Sequence, residues 1–164
     1  MKKLLFSFAL LSCMYVGAIA QVKVNFNGYY GLDFKVKRCY VQGSDCIIDV
    51  LCTNHTKYDL NAYLCVGDGI FKTDLSAFDD EGNTYDTWDI RGTWGNATFG
   101  GGTYAGTGRV NIPRDISIKL QFKIKNIDEF ATNITCLICN FRELSDDVYG
   151  KATLQIKNIP ITRE

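Results

Sequence analysis

Few residues in this chain could do chemistry, and they are scattered. His55 is the sole histidine, so it is the only imidazole base available to activate a nucleophile. It sits in the polar run Asn54-His-Thr-Lys-Tyr-Asp59, and no G-x-S-x-G elbow occurs anywhere, so it reads as a solvated loop residue. Asp79-Asp80 and Asp146-Asp147 are neighbouring carboxylates. A glycosidase needs two acids facing each other across a cleft, and adjacent acids in a turn are ordinarily just solvated. Asp79, Glu81 and Asn83 alternate as in a calcium loop, but Gly82 falls at the fourth position where an EF-hand needs its glycine at the sixth. Cys136-x-x-Cys139 has the spacing of a zinc or redox pair. Zinc wants a second close pair, a redox pair opens a helix, and in a strand side chains three apart point opposite ways. Gly100-Gly-Gly102 lacks the lysine and the following helix of a phosphate loop. The expectation is a protein that is not an enzyme, with no catalytic residues, metal or cofactor.

The elements that would carry these residues are strands. The chain is organised around Leu75 to Tyr85, two short β-prone runs flanking the polar turn Asp79-Asp-Glu-Gly-Asn83. Gly82 and Asn83 tolerate the positive φ that a tight hairpin requires. Upstream, Val22, Val24 and Phe26 alternate with Lys23 and Asn25. Phe34, Val36 and Tyr40 share one face of the next run, with Asp33, Lys35, Lys37 and Cys39 on the other. Cys46, Ile48, Val50 and Cys52 make an inward face, and Leu60, Ala62, Leu64 and Val66 another. Downstream, Ile116 to Ile124 is the cleanest amphipathic strand. Ile134 to Phe141 is apolar on both faces and reads as a central strand, and Asp128 to Ala131 before it has room for one helical turn. Ala152, Leu154 and Ile156 close the pattern. No helical segment is long enough to cross over a parallel sheet, so the class is all-β and mostly antiparallel, a two-sheet sandwich of about eight or nine strands.

Residues 1–20 have the layout of a secretory signal: Lys2 and Lys3, an uncharged apolar run from Leu4 to Ile19, and the small-x-small site Ala18-Ile-Ala20. Residues 21–164 are then expected to form a single exported domain, secreted or periplasmic. Leu10-Leu-Ser-Cys13 also resembles a lipoprotein box, which would tether the chain to the envelope through Cys13; the apolar stretch from Met14 to Ala20 favours cleavage after Ala20 instead. The formal net charge is zero, which gives no electrostatic case for nucleic acid or an anionic membrane. Six of the seven cysteines lie beyond the leader: Cys39, Cys46, Cys52, Cys65, Cys136 and Cys139. An even number in an exported chain suggests disulfides, while buried thiols packed as small hydrophobes are the alternative. Cys39 and Cys46 flank a turn and could pair locally. The sequons at Asn54, Asn96 and Asn133 matter only in a eukaryotic secretory pathway, and the leader reads as bacterial.

The order of signals is distinctive from Cys46 to Phe141. Val50-Leu-Cys-Thr-Asn54 precedes a polar loop, and Phe78-Asp-Asp-Glu-Gly-Asn-Thr-Tyr85 forms the hairpin. Arg109-Val-Asn-Ile-Pro113 then leads into Ile116 to Ile124, and Ile134 to Phe141 follows. This resembles an immunoglobulin-like β-sandwich family of unknown function in exported bacterial proteins and lipoproteins, some of whose members carry a misleading name borrowed from a telomere-repeat-binding factor. The resemblance implies a fold and a location, and no activity. Immunoglobulin-type domains often join their central strands, so it also brings Cys52 near the Cys136/Cys139 strand across the sandwich. The six cysteines and the glycine-rich stretch from Gly92 to Gly108 depart from the family pattern.

That stretch holds the remaining candidate site. Residues 87–108 gather Trp88, Trp94, Phe99 and Tyr104 among many glycines and read as a long loop. Aromatic anchors on an adaptable loop would make a recognition surface for a protein or glycan partner, the alternative being that some of the rings plug the core. The functional expectation is a non-catalytic exported binding or interaction module. The alternatives are an inhibitor or accessory subunit of a secreted protein, and, less well supported, a small secreted hydrolase.

Overall fold

Alternation of apolar and polar side chains folds this chain into two antiparallel sheets that share one apolar core. The structure, a computed structural model, describes residues 21–28, 31–64, 75–101, 108–145 and 148–163. The leader with Cys13, and Cys65, Tyr104, Asp146 and Asp147, lie outside the described residues. In chain order the strands are β1 (Lys23–Asn27), β2 (Leu32–Gln42), β3 (Asp45–Asn54), β4 (Leu60–Leu64), β5 (Leu75–Asp79), β6 (Thr84–Tyr85), β7 (Ile90–Trp94), β8 (Ala97–Gly100), β9 (Gly108–Ile112), β10 (Ser117–Ile124), β11 (Asn133–Ser145) and β12 (Val148–Pro160). The first sheet runs β1-β12-β11-β4-β9, with β5 pairing β11 and β6 pairing β5; the second runs β2-β3-β10-β7-β8. The fold is all-β and sandwich-like, with no helix among the described residues.

The core lies where the inward faces meet. Ile48, Val50, Leu120, Phe122, Ile124, Ile90, Trp94 and Phe99 come from one sheet, and Leu75, Ala77, Ile134, Leu137, Leu154 and Ile156 from the other. Burying each large apolar side chain is worth roughly 1.5–3 kcal/mol, so this set supplies most of the drive to fold. The inward faces expected for β3 and β12 are the observed ones; that of β10 is buried from Leu120 to Ile124, while Ile118 is half-buried and Ile116, just before the strand, is exposed.

Three departures come from local geometry that alternation does not encode. The register of β2 on β3 shifts between Val36 and Arg38. This bulge inserts one residue and turns Cys39 inward, where strict alternation places it outside with the lysines. A second shift, between Ile134 and Cys136 where β11 pairs β5, makes Ile134, Leu137 and Cys139 the inward residues and leaves Cys136 and Ile138 half-buried on the outer face. The third departure is larger. Residues 87–101 are not a loop: β7 and β8 form a hairpin with Trp94 opposite Ala97, closed by Gly95 and Asn96. Gly95 takes φ +55, as the first central residue of such a turn requires. This hairpin largely explains why the described strands number twelve and not eight or nine. At Asp128 to Ala131 there is a single turn, with the Ala131 amide donating to the Asp128 carbonyl at 3.2 Å, and no helix.

Candidate functional site

The rings expected to form a recognition surface are separated by the fold. Trp94 and Phe99 point inward from β7 and β8 and are 1% and 0% exposed, so they are core residues and not surface anchors. Phe99 packs edge-on against Phe122 at 6.1 Å, and Trp94 lies 6.2 Å from Phe34. The glycines there serve packing, not adaptability: a Cβ on Gly92 would sit 2.0 Å from the Phe99 ring. Trp88 alone of the described three is solvent-facing, at 58% exposure.

Trp88 belongs to the turn Asp86–Asp89, which is tied internally. The Trp88 amide donates to Asp86 Oδ1 at 2.7 Å, and the Asp86 amide to Asp89 Oδ2 at 3.1 Å. The Lys125 amide donates to the Asp89 carbonyl at 3.0 Å, which fixes this turn to the segment after β10. Between them opens a polar cleft of about 290 Å³, lined by Asn83, Thr84, Tyr85, Asp89, Lys125, Asn126 and Asp128.

The hairpin turn builds the floor of that cleft. Asp79, at the end of β5, is buried and accepts from the Glu81 amide, the Asn83 amide, Asn83 Nδ2 and the Tyr85 hydroxyl at 2.8–3.1 Å. Burial alone would raise its pKa, but the bonds from Asn83, Tyr85 and Glu81 outweigh it and hold the carboxyl below its ordinary value. Four donors aimed at one carboxylate make a turn cap, not a cation ligand, so the calcium-like spacing is structural. The next residue, Asp80, accepts from the Thr132 and Asn133 amides and the Thr132 hydroxyl, which docks the hairpin onto the start of β11.

Two bonds join the hairpin to the opposite wall. Asn83 Nδ2 donates also to Asp128 Oδ2 at 3.3 Å, and the Asp128 amide donates to the Tyr85 hydroxyl at 3.3 Å. Burial first, and then the neighbouring carboxylates, push the Tyr85 hydroxyl up to about 12, against the pull of the Asp128 amide. Behind this wall, Arg163 donates to the Asp128 and Ala131 carbonyls. Phe130, two residues beyond Asp128, is 71% exposed. The residues lining the cleft thus carry two carboxylates, two amides, two hydroxyls and one ammonium; Asn83, Tyr85, Asp89 and Asp128 are already hydrogen-bonded within the protein, and an exposed ring lies next to or near each wall.

The other candidates resolve differently. Cys39 and Cys46 face each other with sulfurs 3.4 Å apart. Cys52 and Cys139 are buried in opposing sheets of the same core, and Gln155 Nε2 lies 3.6 Å from Cys136 Sγ. Burial, then the Asp33 charge, pushes the Cys52 thiol up to about 12. His55 is exposed in its loop. Its neighbour Asn54 is fully buried, donating to the Tyr58 and Ile112 carbonyls and accepting from the Thr56 amide and hydroxyl, so that sequon is a structural turn. Asp49 is buried on the outer face of β3 beneath Arg38, Lys119 and Gln121, at 2.6, 3.0 and 2.7 Å. Among the described residues no group of three or more histidine, cysteine or acidic side chains could hold a metal ion.

Sequence reasoning missed the cleft's second wall. Lys125, Asn126 and Asp128 look like an ordinary connection, and nothing in the sequence links Asp128 to Asn83, 45 residues earlier. Comparison with protein-family models, curated proteins and solved structures finds no match to this chain.

Proposed function

We propose that this protein is a non-catalytic binding module, exported to the bacterial envelope or beyond, with an immunoglobulin-like sandwich as scaffold and the cleft between Asn83 and Asp128 as its ligand site. The observation that carries the reading is the composition of that cleft. Paired carboxylate and amide groups beside hydroxyls suit a ligand rich in hydroxyl groups, each of which needs both a donor and an acceptor. Exposed rings at Trp88, next to the lining residue Asp89, and at Phe130, two residues beyond Asp128, would supply flat apolar faces for a sugar ring near the cleft. A glycan is therefore the favoured ligand, without a metal or cofactor.

The test is a titration of the purified protein with a panel of neutral oligosaccharides, repeated with Trp88→Ala and with Lys125→Ala. Saturable binding that both substitutions weaken supports the reading. Capture of a secreted protein that Trp88→Ala abolishes, with no oligosaccharide bound, would replace it by the inhibitor or accessory-subunit alternative. Turnover of any oligosaccharide would replace it by the hydrolase.

A further inference from the structure

The β2–β3 hairpin holds a feature that ligand binding does not use. Cys39 and Cys46 sit on adjacent antiparallel strands with Sγ atoms 3.4 Å apart, both on the inward face and both buried. They meet because of the bulge: strict alternation from Phe34 would point Cys39 to solvent, and the residue inserted between Val36 and Arg38 reverses its phase. The pairing Cys39↔Ile48 and Val41↔Cys46 makes them diagonal neighbours on one face, and their sulfurs are in direct contact.

We propose that Cys39 and Cys46 are a disulfide-forming pair that staples edge strand β2 to β3 at the point where the C-terminal tail docks. That docking is backbone pairing: the Val41 amide donates to the Thr162 carbonyl and the Thr162 amide to the Cys39 carbonyl, each at 3.0 Å. The tail continues to Arg163, which holds the Asp128 wall of the cleft. The staple therefore secures the strand on which that tail is anchored.

The oxidant is a small-molecule or protein disulfide. One cysteine thiolate attacks the donor's S–S bond and releases one donor thiol. The second attacks the resulting mixed disulfide and releases the other. Two cysteine S–H bonds and one donor S–S bond are lost, one protein S–S bond and two donor S–H bonds form, and two electrons pass to the donor. The contact with Cys46 and then burial hold the Cys39 thiol well above its ordinary range, so exchange in the folded protein is slow. The bond forms while the hairpin assembles and is then shielded. An oxidising compartment rests on the exported reading above; the pairing itself does not.

Refolding the purified protein in a glutathione redox buffer, alkylating it in denaturant, and digesting it on the N-terminal side of aspartate tests this. Those cuts separate Asp33–Ser44, Asp45–Ile48 and Asp49–Tyr58, so Cys39, Cys46 and Cys52 fall in different peptides. The expected product is Asp33–Ser44 joined to Asp45–Ile48. Alkylation of both cysteines, or linkage of either to another cysteine, overturns the proposal. In the refolded protein before alkylation, reduction should lower Tm by roughly 5–10 °C and speed exchange of the Val41 and Thr162 amides. Cys39→Ala/Cys46→Ala should abolish that drop, and its persistence in full would equally overturn the assignment.

Discussion

Replacing Gly92 by alanine is the sharpest test of the packing described for the β7–β8 hairpin. Gly92 has no positive φ to protect, so alanine suits its backbone and would remove some unfolded-state entropy, a gain of roughly 0.5–1 kcal/mol. Against this, the new methyl would lie 2.0, 2.2 and 2.5 Å from three carbons of the Phe99 ring. The ring must retreat by about 1.5 Å to restore a contact distance near 3.5 Å. It is fully buried with its edge against Phe122, so the retreat overpacks the core at a cost of roughly 1–3 kcal/mol. The net expectation is a loss of roughly 1–2 kcal/mol, seen as a Tm lowered by about 3–8 °C. Phe99→Leu should absorb part of the clash, so the double variant should lose less than the sum of the singles by at least about 0.5 kcal/mol. A Gly92→Ala protein that melts at or above the wild-type temperature would refute the reasoning and return this stretch to a mobile glycine-rich loop.

Trp94→Ala should cost roughly 3–5 kcal/mol and Trp88→Ala less than about 1 kcal/mol, measured by denaturant melts, because only the first ring is buried. Asn54→Ala should cost roughly 2–4 kcal/mol by the same melts, since it strips four hydrogen bonds from a buried turn. Asp79 has a folded pKa below its unfolded value, so its stabilisation is present above pH ~4 and is lost as pH falls through the folded pKa. Tm should therefore drop on acidification below pH ~4, and less steeply in Asp79→Asn, which starts lower at neutral pH. Tyr85 has the opposite sense: its folded pKa of about 12 exceeds the ordinary 10, so its contribution is lost between about pH 10 and 12, and Tyr85→Phe should flatten that limb of a Tm–pH profile.

The strands were legible where side chains alternate without interruption. Cys46 to Cys52, Ile116 to Ile124 and Ala152 to Ile156 carry period-two patterns, and the structure buries the faces those patterns name except at Ile116, which is exposed, and Ile118, which is half-buried. The Asp79–Asn83 turn was legible for the same local reason, since Gly82 supplies φ +88. Bulges break this kind of reading: one inserted residue near Lys37 moved Cys39 from the outer face to the core. At β7–β8 the signal was present but masked by composition. Ile90, Gly92 and Trp94 alternate inward, and Gly95-Asn96 is a two-residue hairpin turn, yet glycine at an inward position looks like loop until Phe99 is seen filling its place. The cleft was the least legible feature. Its walls come from segments distant in sequence, joined by single hydrogen bonds such as Asn83 to Asp128, and no local pattern encodes a contact of that kind.

The most direct test of the binding account uses the two tryptophans as separate reporters. In Trp94→Phe, Trp88 is the only indole left, and it sits next to the cleft residue Asp89. Titration of that variant with neutral oligosaccharides, followed by tryptophan fluorescence, should give a saturable change in Trp88 emission that Lys125→Ala weakens at least several-fold. Emission that stays unchanged while the same oligosaccharides bind, or binding that is indifferent to both Trp88 and Lys125, would contradict the assignment of the cleft.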